Sequence, residues 1–117
     1  MFIKDRIKTY NIIILSSGTE PNEDIGAAEL DRRDRDKGCV MIGCHYIIRR
    51  DGMVETGREL DKLGHYKRKY NKDSVYVCLI GKEGNFTESQ KLVLEDIKDE
   101  LRDLYPRAQV LYLAEGD

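Results

Sequence analysis

Residues 42–81, IGCHYIIRRDGMVETGRELDKLGHYKRKYNKDSVYVCLIG, are the stretch that decides the fold. Two β-rich runs within it, CHYIIRR and MVETGR, are separated by Asp51-Gly52. Asp-Gly between alternating apolar runs is a strong hairpin signal, because glycine adopts a positive φ at little cost. The stretch therefore predicts a hairpin over 43–58 and a buried strand over 74–80.

The remaining elements follow on either side of this stretch. The continuous apolar run YNIIILS at 10–16 predicts a central strand that is buried on both faces. N-cap chemistry at Pro21–Asp24 and a stop at Gly38 predict a helix over 23–37. The second half of this helix is almost wholly charged, which is typical of a solvated face with i,i+4 ion pairs. A docking surface for a partner is the alternative interpretation of that face.

The C-terminal part of the chain carries the clearest helix signal. Thr87 and Gln90 have the spacing of a capping box, and apolar residues at helical spacing continue to a stop before Pro106. A last strand is expected over 109–114. The order of strand, helix, hairpin, strand, helix and strand predicts the α/β class. We expect a single central mixed β-sheet flanked by helices, in one domain over 1–117.

Composition excludes two classes of partner. Charged residues make up 36% of the 117 positions, and the net charge is −2. A general nucleic-acid binder would show a basic excess, so general binding to nucleic acid is not expected. The sequence also lacks an apolar run of about 20 residues, and its opening lacks a signal-peptide core. We therefore expect no membrane partner and a cytoplasmic location in the producing or infected cell.

Potential chemistry is confined to cysteines and histidines. Cys39, Cys44 and Cys78 are odd in number and lie in or beside predicted strands, so reduced buried thiols are expected. His45 is interpreted as a core histidine whose ring is satisfied by the backbone. Alternation along 44–49 would place Cys44 and Tyr46 on one side of the strand, with His45 on the other. A Cys44 nucleophile with His65 as its base, or a metal between Cys39 and Cys44, remain alternatives.

The connection 59–73 mixes basic and aromatic residues. Lys67, Arg68 and Lys69 alternate with Tyr66 and Tyr70. An exposed loop of this kind could bind an anionic or aromatic ligand, and a solvated basic loop is the simpler alternative.

Four segments together resemble a known family. They are IIILSSGTEP at 12–21, GCHYIIRRDGMVETGR at 43–58, KYNKDSVYVCLIG at 69–81 and NFTESQ at 85–90. Their order is similar to that of zinc-dependent N-acetylmuramoyl-L-alanine amidases of the second type, which include amidase-type phage lysozymes and peptidoglycan recognition proteins. The resemblance covers about residues 10–114. It implies a mixed sheet flanked by helices, with a groove that holds the peptide stem of peptidoglycan.

The resemblance also implies where catalytic groups would lie. Family members hold zinc with a His at the end of the first strand, a His after the last strand and a Cys further on. The first position corresponds to Leu15, and the second falls at about Ala114. The Cys and an assisting Lys would lie past Asp117. The catalytic Tyr corresponds to Cys44. These differences predict a degenerate, C-terminally shortened member with its zinc site lost, no catalytic residue, no metal and no cofactor.

The retained groove would then serve for binding. By resemblance and by the chemistry of the 59–73 connection, its residues are Cys44, Tyr46, Tyr66, Lys67, Arg68, Tyr70 and Asn71.

Three functions follow from these expectations. The main interpretation is a phage or mobile-element pseudo-amidase, not an enzyme, that binds a partner protein such as a polymerase, a host defence enzyme or a cell-wall enzyme. The alternative is a small-ligand binding protein for muramyl peptide or for an anionic nucleotide or signal. A further alternative is residual N-acetylmuramoyl-L-alanine amidase activity, which would make the chain a peptidoglycan hydrolase. The sequence leaves the oligomeric state open, and a homodimer through Leu15, Leu111 and Leu113 is the alternative to a monomer.

Overall fold

The computed structural model describes residues 2–114. Its five strands, joined in one sheet, are β1 (Asn11–Ser16), β2 (Tyr46–Ile48), β3 (Val54–Thr56), β4 (Ser74–Leu79) and β5 (Gln109–Tyr112). The order across the sheet is β3-β2-β4-β1-β5, with only the β2–β3 pair antiparallel. Helices α1 (Ala27–Asp36) and α2 (Glu88–Leu104) flank the sheet. This confirms the α/β prediction; the single domain over 1–117 stays a prediction.

The two central strands are the two most apolar runs in the chain. β1 and β4 pair in parallel with Ile13 opposite Tyr76, and both of these residues are fully buried. Strands covered on both faces need apolar side chains at successive positions, which is the pattern of IIIL and VYVCL. The predicted strands at 10–16 and 74–80 are confirmed.

Helix α2 covers one face of the sheet. Its capping box is present, since Thr87 Oγ1 accepts from the Gln90 amide at 3.1 Å and Gln90 Oε1 accepts from the Thr87 amide at 3.0 Å. The Gln90 side-chain amide also donates to the carbonyls of Ile48 and Ile80. One buried residue therefore starts the helix and ties it to β2 and β4. The core between α2 and the sheet consists of Ile12, Ile14, Ile48, Val75, Val77, Leu79, Leu94, Ile97 and Leu101.

Helix α1 is shorter than predicted. It begins at Ala27, after an N-cap Gly26 that has no side chain to cap the helix. The cap is supplied from β3, where Glu55 Oε1 accepts a hydrogen bond from the Ala27 amide at 2.9 Å. A side chain at Gly26 would collide with that carboxylate. The sequence signal at Pro21–Asp24 therefore forms a turn, and the start of α1 depends on a residue that lies 28 positions away.

The charged surface of α1 forms ion pairs along the helix, as the sequence predicts. Arg33 pairs with Glu29 at 2.7 Å, and Arg35 pairs with Asp31 at the same distance, both at i,i+4 spacing. Within residues 2–114 the structure contains no helix that is long and apolar enough to cross a membrane.

Candidate functional site

An open groove lies on the sheet face opposite α2. It has a volume of about 440 Å³. Leu15 and Cys78 form its floor at the carboxyl ends of β1 and β4, and α1 contributes a wall that includes Asp34. We call it the α1 groove. Its complete lining is Leu15, Ser16, Ser17, Leu30, Asp34, Lys37, Cys39, Ile42, Cys44, His65, Tyr66 and Cys78.

Two carboxylates of α1 hold the segment that carries Cys44. Asp31 Oδ1 accepts from the Ile42 amide at 2.7 Å, and Asp34 Oδ2 accepts from the Gly43 amide at 2.9 Å. The hydrogen bond from Ile42, followed by that from Arg35, lowers the pKa of Asp31. The charged run of α1 is therefore more than a solvated face. The spacing of the charged residues contains no signal of this role, because the amides that they accept from belong to the separate segment 42–43.

Gly43 and Arg58 complete the support beneath the groove. The Gly43 carbonyl accepts from the His65 amide at 3.0 Å, and a Cβ at Gly43 would collide with the His65 carbonyl. Arg58 is 7% exposed and donates to the carbonyls of Ile42 and Leu63, each at 2.9 Å. Burial lowers the pKa of Arg58, while the nearby Cys39 and Asp34 oppose that shift. These backbone contacts bring the 63–65 segment next to Cys44.

All three cysteines are free thiols, and all three line the α1 groove. Cys44 and Cys78 are 8% and 2% exposed, and Cys39 is half-buried. A hydrogen bond with Cys78, together with burial, raises the pKa of Cys44 well above its ordinary value. Cys44 is thus a neutral thiol near pH 7, which argues against the alternative of a Cys44 nucleophile, since the thiolate is the attacking species.

His45 lies outside the groove, as the core interpretation predicts. Its Nδ1 accepts from the Tyr76 amide at 3.0 Å, so Nε2 carries the proton and donates to the Lys62 carbonyl at 2.8 Å. Burial lowers the pKa of His45 to about 4. The imidazole is therefore a neutral part of the core whose two nitrogens are both occupied.

Only part of the predicted groove set meets at the groove. Cys44 and Tyr66 line it. Tyr70 packs half-buried against the apolar cluster on this side of the sheet, which consists of Ile13, Leu15, Cys44, Tyr76 and Cys78. Tyr46 does not share the side of Cys44, and that expectation is wrong: Tyr46 packs on the α2 face near Ile48. The reason is that β2 begins at Tyr46, so strand alternation does not extend back to Cys44.

The other predicted residues belong to the loop beside the groove. Asn71 Oδ1 accepts from the Tyr66 amide at 3.0 Å and from the Tyr76 hydroxyl at 2.6 Å, so Asn71 holds the loop in place. Lys67 is half-buried and Arg68 is exposed. A ligand-binding role for the predicted set stays a prediction.

The residues at the predicted metal positions do not fit a metal. Leu15 is aliphatic and 7% exposed, and Ala114 is exposed and has no side-chain donor. Across residues 2–114 no group of three or more His, Cys, Asp or Glu side chains could hold a metal ion. The zinc implied by the resemblance therefore has no ligand set in the described part, and we derive no reaction step through a metal.

A second depression of about 440 Å³ lies where β1, β5 and α2 meet, lined by residues that include Leu15, Leu113 and Ala114. Leu111 does not line this depression; it packs half-buried on the α1 side of the sheet, against the cluster that contains Ile13 and Leu15. The predicted homodimer through Leu15, Leu111 and Leu113 stays a prediction, and light scattering would test it.

No protein-family model matches the chain. Individual relatives do. An endolysin of Enterobacteria phage K11 is 38% identical over 113 residues, covering 91% of this chain and 75% of that protein. An endolysin of Escherichia phage T7 is 34% identical over 101 residues, covering 80% of this chain and 67% of that protein.

Solved structures share the fold at lower identity. The N-acetylmuramoyl-L-alanine amidase LysC from Clostridium intestinale has a TM-score of 0.80 at 18% identity, covering 96% of this chain and 78% of its own. The Drosophila peptidoglycan recognition protein SD has a TM-score of 0.81 at 15% identity, covering 96% and 73%. The fold is therefore that of the amidases and peptidoglycan recognition proteins. Within that class, the identity to the phage proteins shows that the chain belongs to the endolysin family.

These relationships correct the functional interpretation. The prediction of a pseudo-amidase that is not an enzyme and binds a partner protein is wrong, because endolysins match the chain at 34–38% identity over most of its length. The same finding contradicts the inference from a lost zinc site to a lost activity, although Leu15 and Ala114 themselves offer no ligand atom. That inference used five functional positions of the family. Two of them, the zinc Cys and the assisting Lys, lie past Asp117, outside the described residues. The further alternative, a peptidoglycan hydrolase, has the better support.

Proposed function

We propose that the chain is a peptidoglycan hydrolase that cleaves the amide bond between N-acetylmuramic acid and the L-alanine of the stem peptide. The observation that carries this proposal is the extended identity to phage endolysins. The choice of this bond is supported by the fold, which the chain shares with an N-acetylmuramoyl-L-alanine amidase.

The α1 groove is the proposed binding site for the stem peptide. Its volume of about 440 Å³ lies in the range of about 300–1,000 Å³ that is typical of small-ligand sites. The floor formed by Leu15, Ile42 and Cys78 suits the alanine methyl group and the neighbouring lactyl group. Lys37 at the rim is exposed and suits a stem-peptide carboxylate. The apolar floor and the exposed Lys37 thus support the proposed binding of the stem peptide in this groove.

Digestion of purified peptidoglycan sacculi by the full chain tests the proposal. Cleavage of the muramoyl–alanine amide releases stem peptides with a free L-alanine amino group, which mass spectrometry identifies. The glycan strands remain uncut, so no new reducing ends appear. Release of reducing sugars without free stem peptides, or no release at all, would contradict the proposal.

A pair of tryptophan variants locates the activity. Cys39→Trp places a bulky ring in the α1 groove, and we expect at least about a 10-fold loss of stem-peptide release. Leu92→Trp is the matched control, because Leu92 lies on α2 and is 69% exposed. Equal activity of both variants would remove the groove from the proposal.

The cytoplasmic location remains a prediction, which fractionation of producing cells would test.

A further inference from the structure

A cluster of cations lies beside the α1 groove. The segment 67–72, KRKYNK, contains Lys67, Arg68, Lys69 and Lys72 without an acidic residue, although the chain has a net charge of −2. We call residues 65–72 the basic loop. Its first two residues, His65 and Tyr66, line the α1 groove, so the loop forms one edge of that groove.

Within residues 2–114, the basic loop gathers four cations in six positions without an ion pair, although single cations elsewhere, such as Lys8 and Lys37, also lack one. By contrast, the three arginines of α1 each pair with a carboxylate at 2.6–2.7 Å. In the part of the chain that the structure describes, none of the four loop cations has a carboxylate partner at ion-pair distance. Asp73, the next residue along the chain, accepts from Asn11 and Ser74 instead. The positive charge of the loop is therefore not neutralised locally.

The loop is also held in one conformation. Asn71 joins the Tyr66 amide to the Tyr76 hydroxyl, and the Lys67 carbonyl accepts from the amides of Tyr70 and Asn71 at 2.9 and 3.1 Å. Two of the ammonium groups lie over aromatic rings. Lys67 Nζ is 5.5 Å from the Tyr66 centroid, and Lys69 Nζ is 4.9 Å from the Tyr70 centroid. These contacts restrain Lys67 and Lys69 before a ligand arrives, which reduces the entropy cost of binding.

We propose that the basic loop is a docking surface for the free carboxylates of stem peptides in polymeric peptidoglycan. The occupant follows from the proposed function, on which this inference rests. A stem peptide in the α1 groove belongs to a polymer that repeats the same anionic peptide, so carboxylates of neighbouring stems lie near the groove edge. Unpaired, restrained cations at that edge would hold the polymer during successive cleavages and favour the polymer over single stem peptides.

Co-sedimentation with sacculi freed of protein, lipid and phosphate polymers tests the proposal. Binding is measured in the cold, where hydrolysis is slow. The loop variant Arg68→Gln/Lys69→Gln is expected to bind about 3- to 10-fold more weakly than the parent at low ionic strength. Amidation of the sacculus carboxylates should weaken parent binding to the level of the variant. Raising the salt from about 0.05 M to about 0.5 M should do the same, because screening shortens the range of the interaction.

The matched control is Lys91→Gln/Arg102→Gln, which removes the same charge from exposed positions on α2, on the opposite face of the sheet. This variant is expected to bind sacculi as the parent does. Equal weakening by the loop and α2 variants would show a net-charge effect and overturn the proposal. Undiminished binding to amidated sacculi would also overturn it, since a surface that recognises another group would not respond to carboxylate charge.

The two proposals fail in different ways. If the parent releases stem peptides but the loop variant binds sacculi normally, the docking surface is refuted and the hydrolase proposal stands. If binding depends on the loop but no stem peptide is released, the docking surface stands and the hydrolase proposal is refuted. Circular dichroism of each variant confirms that it is folded.

Discussion

The hydroxyl of Tyr76 donates a hydrogen bond to Oδ1 of Asn71 over 2.6 Å, and the same oxygen accepts from the Tyr66 amide at 3.0 Å. Tyr76 is fully buried in β4, and burial raises the pKa of its hydroxyl. The phenol is therefore a proton donor throughout the physiological pH range. One side-chain oxygen thus joins the central strand to both ends of the basic loop.

Tyr76→Phe should destabilise the chain by about 1–2 kcal/mol, because it removes the hydrogen bond to Asn71 and leaves the half-buried Lys67 amide without its hydroxyl acceptor. Urea unfolding measures the change. Tyr10→Phe is the control, since Tyr10 is 44% exposed, and it should change stability by less than about 0.5 kcal/mol. Equal effects of the two substitutions would show that the Tyr76–Asn71 contact does not stabilise the loop.

His45 predicts a loss of stability at mildly acidic pH. Its folded-state pKa is lowered to about 4, compared with about 6.5 in an unfolded chain. The unfolded chain binds the proton more readily, so this contribution is fully present above about pH 6.5 and is lost as the pH falls towards about 4. We expect the free energy of unfolding to fall by about 2 kcal/mol between about pH 7.5 and about pH 5.

Urea unfolding at several pH values measures this dependence, and the second histidine provides the control. His65 is exposed, so His65→Gln should leave the pH dependence intact, whereas His45→Gln should flatten it. A parent protein with constant stability across this range would contradict the neutral, buried state of His45. A flat pH profile in the His65→Gln variant would contradict that state of His45 as well.

Asp31→Ala should destabilise the chain by about 1–2 kcal/mol, because the backbone amide of the buried Ile42 loses its acceptor. Asp36→Ala, at the end of the same helix, removes only an exposed ion pair with Arg32 and should cost less than about 0.5 kcal/mol. Thermal unfolding of both variants provides the comparison. If Asp36→Ala were as costly as Asp31→Ala, the charged run would act only through ion pairs along α1.

Glu55→Ala should cost about 1 kcal/mol, because the first turn of α1 loses the acceptor for the Ala27 amide. Glu55→Gln keeps a carbonyl oxygen at that position and should recover most of the loss. Far-UV circular dichroism and urea unfolding would report both effects. Equal stability of the Ala and Gln variants would indicate that the helix start does not depend on this cap.

The sequence predicted the elements whose signals are local. The apolar runs that form β1 and β4, the turn at Gly52 and the capping box at Thr87 and Gln90 all lie within short segments, and the structure confirms each of them. Local signals succeed because the backbone preference and the burial of these segments point to the same conformation. The family resemblance was equally readable, because it depends on the order of several such segments.

The groove, in contrast, depended on contacts between distant segments. The sequence wrongly predicts that Tyr46 and Cys44 share one side of the sheet. The reason is that β2 begins only at Tyr46, and no local pattern marks that boundary. The roles of Asp31 and Asp34 required the 42–43 amides to be brought beneath α1. Sequence by itself determined which strands and helices form, since the pattern that indicates each of them lies within its own segment, whereas the start of α1 depends on Glu55 of β3. Only the tertiary structure decided which side chains share the groove, because that depends on backbone groups of separate segments that find their hydrogen-bond partners only on folding.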